Sequence, residues 1–96
     1  MAKFVCIYEP GENEDWTDNL IKKHVEHLKN MKNNGVLVLC GLLKEKQGAL
    51  IILDEKSHKE AETHILQDPL IINKFYNYSI NEFIEGNEEN NYLLEE

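Results

Sequence analysis

Apolar and polar residues alternate from Lys3 to Tyr8, with Phe4, Cys6 and Tyr8 on one side and Val5 and Ile7 on the other, until Pro10 and Gly11 stop the run. A period of two is that of a strand. Past the acidic loop through Asp15 the spacing becomes helical: Leu20, Ile21, Val25, Leu28 and Met31 fall on one face. Thr17 or Asp18 can cap this helix, which runs to Asn34 before Gly35 provides a C-terminal stop. Val36 to Leu43 and Ala49 to Leu53 are rich in β-formers, and the polar stretch Lys44 to Gly48 between them reads as a hairpin turn. Ser57 followed by Glu60 is a capping-box pattern, opening a second helix with Ala61, Ile65 and Leu66 inward. Asp68 ends it, because the residue before a proline is pushed out of helical geometry. Phe75 to Ile84 alternates again and forms a fourth strand.

The order β-α-β-β-α-β predicts an α+β, ferredoxin-like sandwich with one four-stranded antiparallel sheet. Two helices cover one face of that sheet, and the other face is either wet or covered by a partner. This single domain is expected over residues 1–84. Residues 85–96 carry five acids and no base, and read as a solvated, partly disordered acidic tail whose Tyr92, Leu93 and Leu94 are free to pack on the body or a partner.

Composition narrows the function. With 96 residues, 42% hydrophobic and 29% charged, the chain is one soluble-type domain. So small a domain leaves much apolar surface exposed, which favours a homodimer. The net charge of −8 removes the electrostatic footprint that nucleic acid or an anionic membrane requires. All ten bases are lysines, so the planar fork of arginine that grips phosphates and carboxylates is absent. No apolar run approaches the roughly 20 residues of a membrane span, and no signal-peptide pattern opens the chain, so the expected location is cytoplasmic. Cys6 and Cys40 lack CxxC spacing and each reads as a small core hydrophobe.

His24 stands where a hydrophobe is expected, between the directions of Leu20 and Leu28 on the first helix, whereas His27 lies ~60° further round at the border of the apolar arc. Either His24 is a core histidine bonded to a carbonyl, or it has a functional partner. Asp68 is a candidate partner, since a carboxylate fixes the imidazole tautomer and makes a general base. Spacing alone favours a plainer role for Asp68, capping the turn after Pro69. His24 and His27 lack a third donor at metal-site spacing, so no metal and no cofactor are expected. His64 reads as amphipathic cover of the second helix. Tyr8 and Trp16 are candidate pocket walls near the first loop, although aromatics there are more often core.

These segments together resemble the YCII-related proteins. KFVCIYEPG is similar to that family's first strand, and LIKKHVEHLKNMKNNGVLVLCGLL to its helix with an inward histidine, a glycine stop and a glycine-containing second strand. GALIILDEKSHKEAETHILQDPLI is similar to its third strand and second helix, closed by an Asp-Pro pair. The likeness runs from Lys3 to Phe83. It implies a ferredoxin-like fold, dimeric through the sheets in the manner of α+β barrels, and a pocket with a catalytic His/Asp pair, which here falls on His24 and Asp68. Tyr8, Gly41 and Leu42 are the candidate substrate-binding residues. The chain differs from many relatives at Leu42, where they have proline, and at Leu70, where they often have phenylalanine.

Related dimeric ferredoxin-like families include enzymes acting on small aromatic or lactone compounds, several without a metal. The expectation is therefore a small-molecule enzyme in which His24 moves a proton, by isomerisation or elimination, without a cofactor. The alternative is a noncatalytic dimeric module that binds a small ligand, with the same polar pair shaping its pocket.

Overall fold

In the computed structural model, which describes residues 1–95, the elements are β1 (Ala2–Pro10), α1 (Asp18–Asn33), β2 (Leu37–Leu42), β3 (Ala49–Glu55), α2 (His58–Leu66), α3 (Pro69–Ile72) and β4 (Tyr76–Phe83). The four strands form one antiparallel sheet in the order β2-β3-β1-β4, so the architecture is the expected ferredoxin-like α+β sandwich. Phe4, Cys6 and Tyr8 of β1 and Ile51 and Leu53 of β3 are buried, and with Met31 of α1 and Ala61 and Ile65 of α2 they make the core between sheet and helices.

The helix ends follow from local chemistry. Thr17 Oγ1 accepts from Leu20 N at 3.2 Å at the start of α1, and Gly35 at φ 75° turns the chain out of it in a region open to glycine. Ser57 Oγ accepts from Glu60 N at 3.2 Å, so the predicted cap of α2 is formed.

The short helix α3 was legible only as a capped turn. Its C-terminal side closes through Lys74, which sits in the left-handed region at φ 64° and sends Phe75 N back to Leu70 O at 3.0 Å. Consequently β4 begins at Tyr76, not at Phe75: Phe75 is buried in the turn, where its carbonyl accepts from Gly11 N at 2.8 Å.

Cys40 departs from the sequence reading. Cys6 is buried as expected, but Cys40, paired with Ile51 in the edge strand β2, is exposed and borders an open cavity between the sheet and α1.

On the sheet face away from the helices, Val5, Ile7, Leu50 and Ile52 are half-buried, and Leu39 and Phe83, exposed by 50% and 47%, stand in register with Ile52 and Lys3. Lys3 Nζ pairs with Asp54 Oδ2 at 3.1 Å on this face, while Asp54 Oδ1 is buried without a partner among the described residues. After β4, Glu88–Leu93 forms 3₁₀ turns with Asn87 and Asn90 capping each other, and no side chain of this segment is buried. Among the described residues, no helix is long and apolar enough to cross a membrane.

Candidate functional site

Three elements converge on one carboxylate. Asp68, at the junction of α2 and α3, is 1% exposed and is the one buried charged or polar residue of the described core. Its Oδ1 accepts from Leu70 N at 3.0 Å, which caps α3, and Pro69 at the first helical position needs no N–H partner. From β1, Tyr8 donates its hydroxyl to Oδ2 at 2.7 Å. From α1, His24 Nδ1 lies 2.9 Å from Oδ1 and 3.0 Å from Oδ2. The two roles that spacing set against each other for Asp68, cap and histidine partner, are both present in the geometry.

The electrostatics follow from this ring of donors. Burial is the largest influence on Asp68 and by itself would raise its pKa. The hydrogen bonds from His24 and Tyr8, the His24 charge and the Leu70 N–H together outweigh it, and the carboxyl is held below its ordinary value. Tyr8 responds in the opposite sense: burial, then the Asp68 charge and hydrogen bond, push its phenol far above the ordinary range, so it stays protonated. With Nδ1 facing carboxylate oxygens, the Nδ1 position of His24 must carry the proton, and the lone pair of the neutral ring is left on Nε2.

Among the described residues Nε2 has no hydrogen-bond partner, and the ring borders a cavity of about 410 Å³. Ile21, Val25 and Leu28 of α1 form one wall of it and Ile51, Ala49, Cys40 and Leu42 of the sheet another, with Trp16 and Tyr76 at its margin. Tyr8, Gly41 and Leu42, the sequence candidates for a substrate wall, all line it. The hydroxyl of Tyr8 is engaged by Asp68, so its hydrogen is not free to bond a ligand in the cavity. The imidazole thus borders walls that are mostly apolar, as ligand pockets commonly are.

The aromatic margin is braced from outside. Trp16 packs against Phe75 with ring centroids 4.4 Å apart and against Tyr76 at 5.7 Å, while Tyr76 packs on Tyr8 at 5.3 Å. The loop before α1 is pinned to the end of α3 by Gly11 N to Phe75 O at 2.8 Å and Asn13 N to Lys74 O at 3.0 Å. Asp68 and Trp16 are thus tied to opposite ends of the same short helix.

His27 points elsewhere: its half-buried ring donates Nε2–H to the His64 carbonyl at 2.8 Å, so the two histidines of α1 do not converge. Among the described residues no group of three His, Cys, Asp or Glu side chains is placed to hold a metal. His64, read from sequence as amphipathic cover, instead meets Glu55 Oε2 at 2.7 Å. Glu55 is held below its ordinary pKa first by the Lys56 N–H and then, against a partial effect of burial, by His64. No spacing signal in the sequence connects the end of β3 to the last turn of α2.

No family model matches the chain, and no curated protein matches it in sequence. Among solved structures, 5-chloro-2-hydroxyhydroquinone dehydrochlorinase from Burkholderia phenoliruptrix, in complex with 2,5-dihydroxybenzoquinone, is similar with a TM-score of 0.57 and 16% identity, over 86% of this chain and 95% of that chain. At that identity the likeness establishes a common fold.

Proposed function

We propose that the cavity is the active site of a small-molecule enzyme of the YCII-related type, in which His24 Nε2 takes a proton from a carbon of the bound substrate and Asp68 orients and charge-balances the imidazole. The observation that carries this reading is the contact of His24 Nδ1 with both Asp68 oxygens at 2.9 and 3.0 Å, on a ring that borders a mostly apolar cavity. A carboxylate hydrogen-bonded to one imidazole nitrogen fixes the ring's tautomer and orientation, leaving the lone pair on the other nitrogen to act as base. Isomerisation and elimination need this much and no strong nucleophile. The mostly apolar walls and the lack of arginine favour a neutral or weakly anionic ring compound. The structural neighbour is a dehydrochlorinase that binds a dihydroxybenzoquinone, so cyclic compounds and eliminations come first in the search.

The same carboxylate also caps α3, an observation that favours the second reading, a noncatalytic ligand-binding module. Proton exchange separates the two. Small ring compounds with an acidic C–H, incubated with the protein in D₂O and followed by NMR, should exchange that proton at a rate that His24→Gln lowers by about 10²-fold or more, with far-UV circular dichroism unchanged. Exchange in the folded Gln variant equal to that of the parent would leave binding alone.

A further inference from the structure

We propose that Tyr8 is a positioning residue for the His24–Asp68 pair: its buried hydroxyl keeps Asp68 ionised and its Oδ2 fixed, so that the carboxylate never takes the proton and His24 Nε2 is the proton-carrying atom of the trio. The catalytic meaning of this rests on the proton-transfer reading above. The hold itself rests on geometry. Leu70 N–H serves Oδ1 and His24 Nδ1–H bisects the two oxygens, which makes the Tyr8 hydroxyl the donor directed at Oδ2 alone. Tyr8 and Asp68 are each 1% exposed, so losing that bond leaves a buried carboxylate oxygen short of a donor.

The groups facing the trio leave Tyr8 without a rival. From β1, Cys6 has its thiol pushed up to about 12 by burial and stays neutral. From β4, Tyr76 meets Tyr8 ring to ring, at 5.3 Å between centroids. From α1 the facing titratable group is His24 itself, and α3 contributes the Leu70 N–H. A phenol that stays protonated and spends its hydrogen on the carboxylate is no base toward a substrate, which divides the labour: Tyr8 and Leu70 hold Asp68, Asp68 holds His24, and His24 works on the ligand.

The test is Tyr8→Phe, read by NMR on the ¹³Cγ of Asp68 and the ring nitrogens of His24, with no substrate needed. Losing the donor should raise the titration midpoint of Asp68 by about one pH unit. The Nδ1–H tautomer of His24 should lose population in parallel. Ring-fluorinated tyrosine incorporated in the full chain supplies the second arm, since a more acidic hydroxyl donates more strongly and should move the Asp68 midpoint down. This arm decides the matter if the Phe variant does not fold. An unmoved Asp68 midpoint in the folded Phe variant, or an unmoved or raised one with fluorotyrosine, overturns the proposal. With a turned-over substrate in hand, Tyr8→Phe should lower kcat by about tenfold with KM nearly unchanged and shift the acid limb of the pH–rate profile upward. If the NMR shifts occur and no ring compound exchanges its proton, the hold stands and the proton-transfer reading is what fails.

Discussion

A carboxylate offers about four lone-pair sites, and Asp68 engages them with donors from β1, α1 and its own short helix. Asp68→Asn exchanges one acceptor oxygen for a donating NH₂, which must then face a hydroxyl or an imidazole N–H that also donates. The variant should be less stable by about 1–3 kcal/mol near neutral pH, measured by urea denaturation. Its pH dependence has a definite sign. The folded pKa of Asp68 lies below the ordinary value of 3.8, so the stabilisation is fully present above that value and is lost as pH falls through the folded one. Stability curves of parent and Asn variant should therefore converge below pH 3.8, and parallel curves across that range would contradict the described hydrogen bonds.

At this scale the sequence was informative about His24, because an imidazole interrupts an apolar arc. It was uninformative about how Asp68 divides its oxygens, since spacing registers neighbours along the chain and not a tyrosine sixty positions earlier. Cys40 misled for a related reason: an apolar run looks alike in a central strand and in an edge strand.

A helix of four residues has no independent stability, and α3 persists because both of its ends are held. Asp68 caps the start, Lys74 closes the end, and the loop carrying Gly11 lies so close to Lys74 that a Cβ on Gly11 would run into the Lys74 carbonyl. Two substitutions at this contact should act in opposite directions. Gly11→Ala should cost about 1–3 kcal/mol, and because Trp16 is the sole tryptophan, its emission should shift as the aromatic margin loosens. Lys74→Gly relieves a left-handed backbone and should stabilise the fold by up to about 1 kcal/mol, its exposed contact with Glu12 at 3.6 Å adding little in the parent. Thermal melts of both variants decide the pair of outcomes. Every strand and both longer helices could be read from periodicity. The element that joins the site was not, because four residues complete too little of a period to be seen, and the positive φ that ends it falls on a lysine, where glycine or asparagine is the usual signal.

For the molecule as a whole, the unassigned surface is the sheet face opposite the helices, where half-buried Val5, Ile7, Leu50 and Ile52 adjoin exposed Leu39 and Phe83. We expect a second copy to cover it. Sedimentation should give a dimer that Ile7→Glu converts to monomer, since a charge buried at such a seam costs several kcal/mol. A concentration-independent monomer for the parent would refute the assembly. The sheet order was within reach of the sequence because the β-α-β-β-α-β succession admits few topologies, whereas the covering of its far face depends on a molecule that no periodicity describes. One pairing has a further use. Lys3 lies opposite Phe83 in the β1–β4 ladder, so the chain enters and leaves the sheet at the same corner. A brief linker between those strands would close the polypeptide into a ring, and new ends opened between Glu45 and Lys46, in the exposed β2–β3 turn, would give a circular permutant with Tyr8, His24 and Asp68 in their original frame. The order in which the three residues emerge during synthesis could then be changed without moving the site they build.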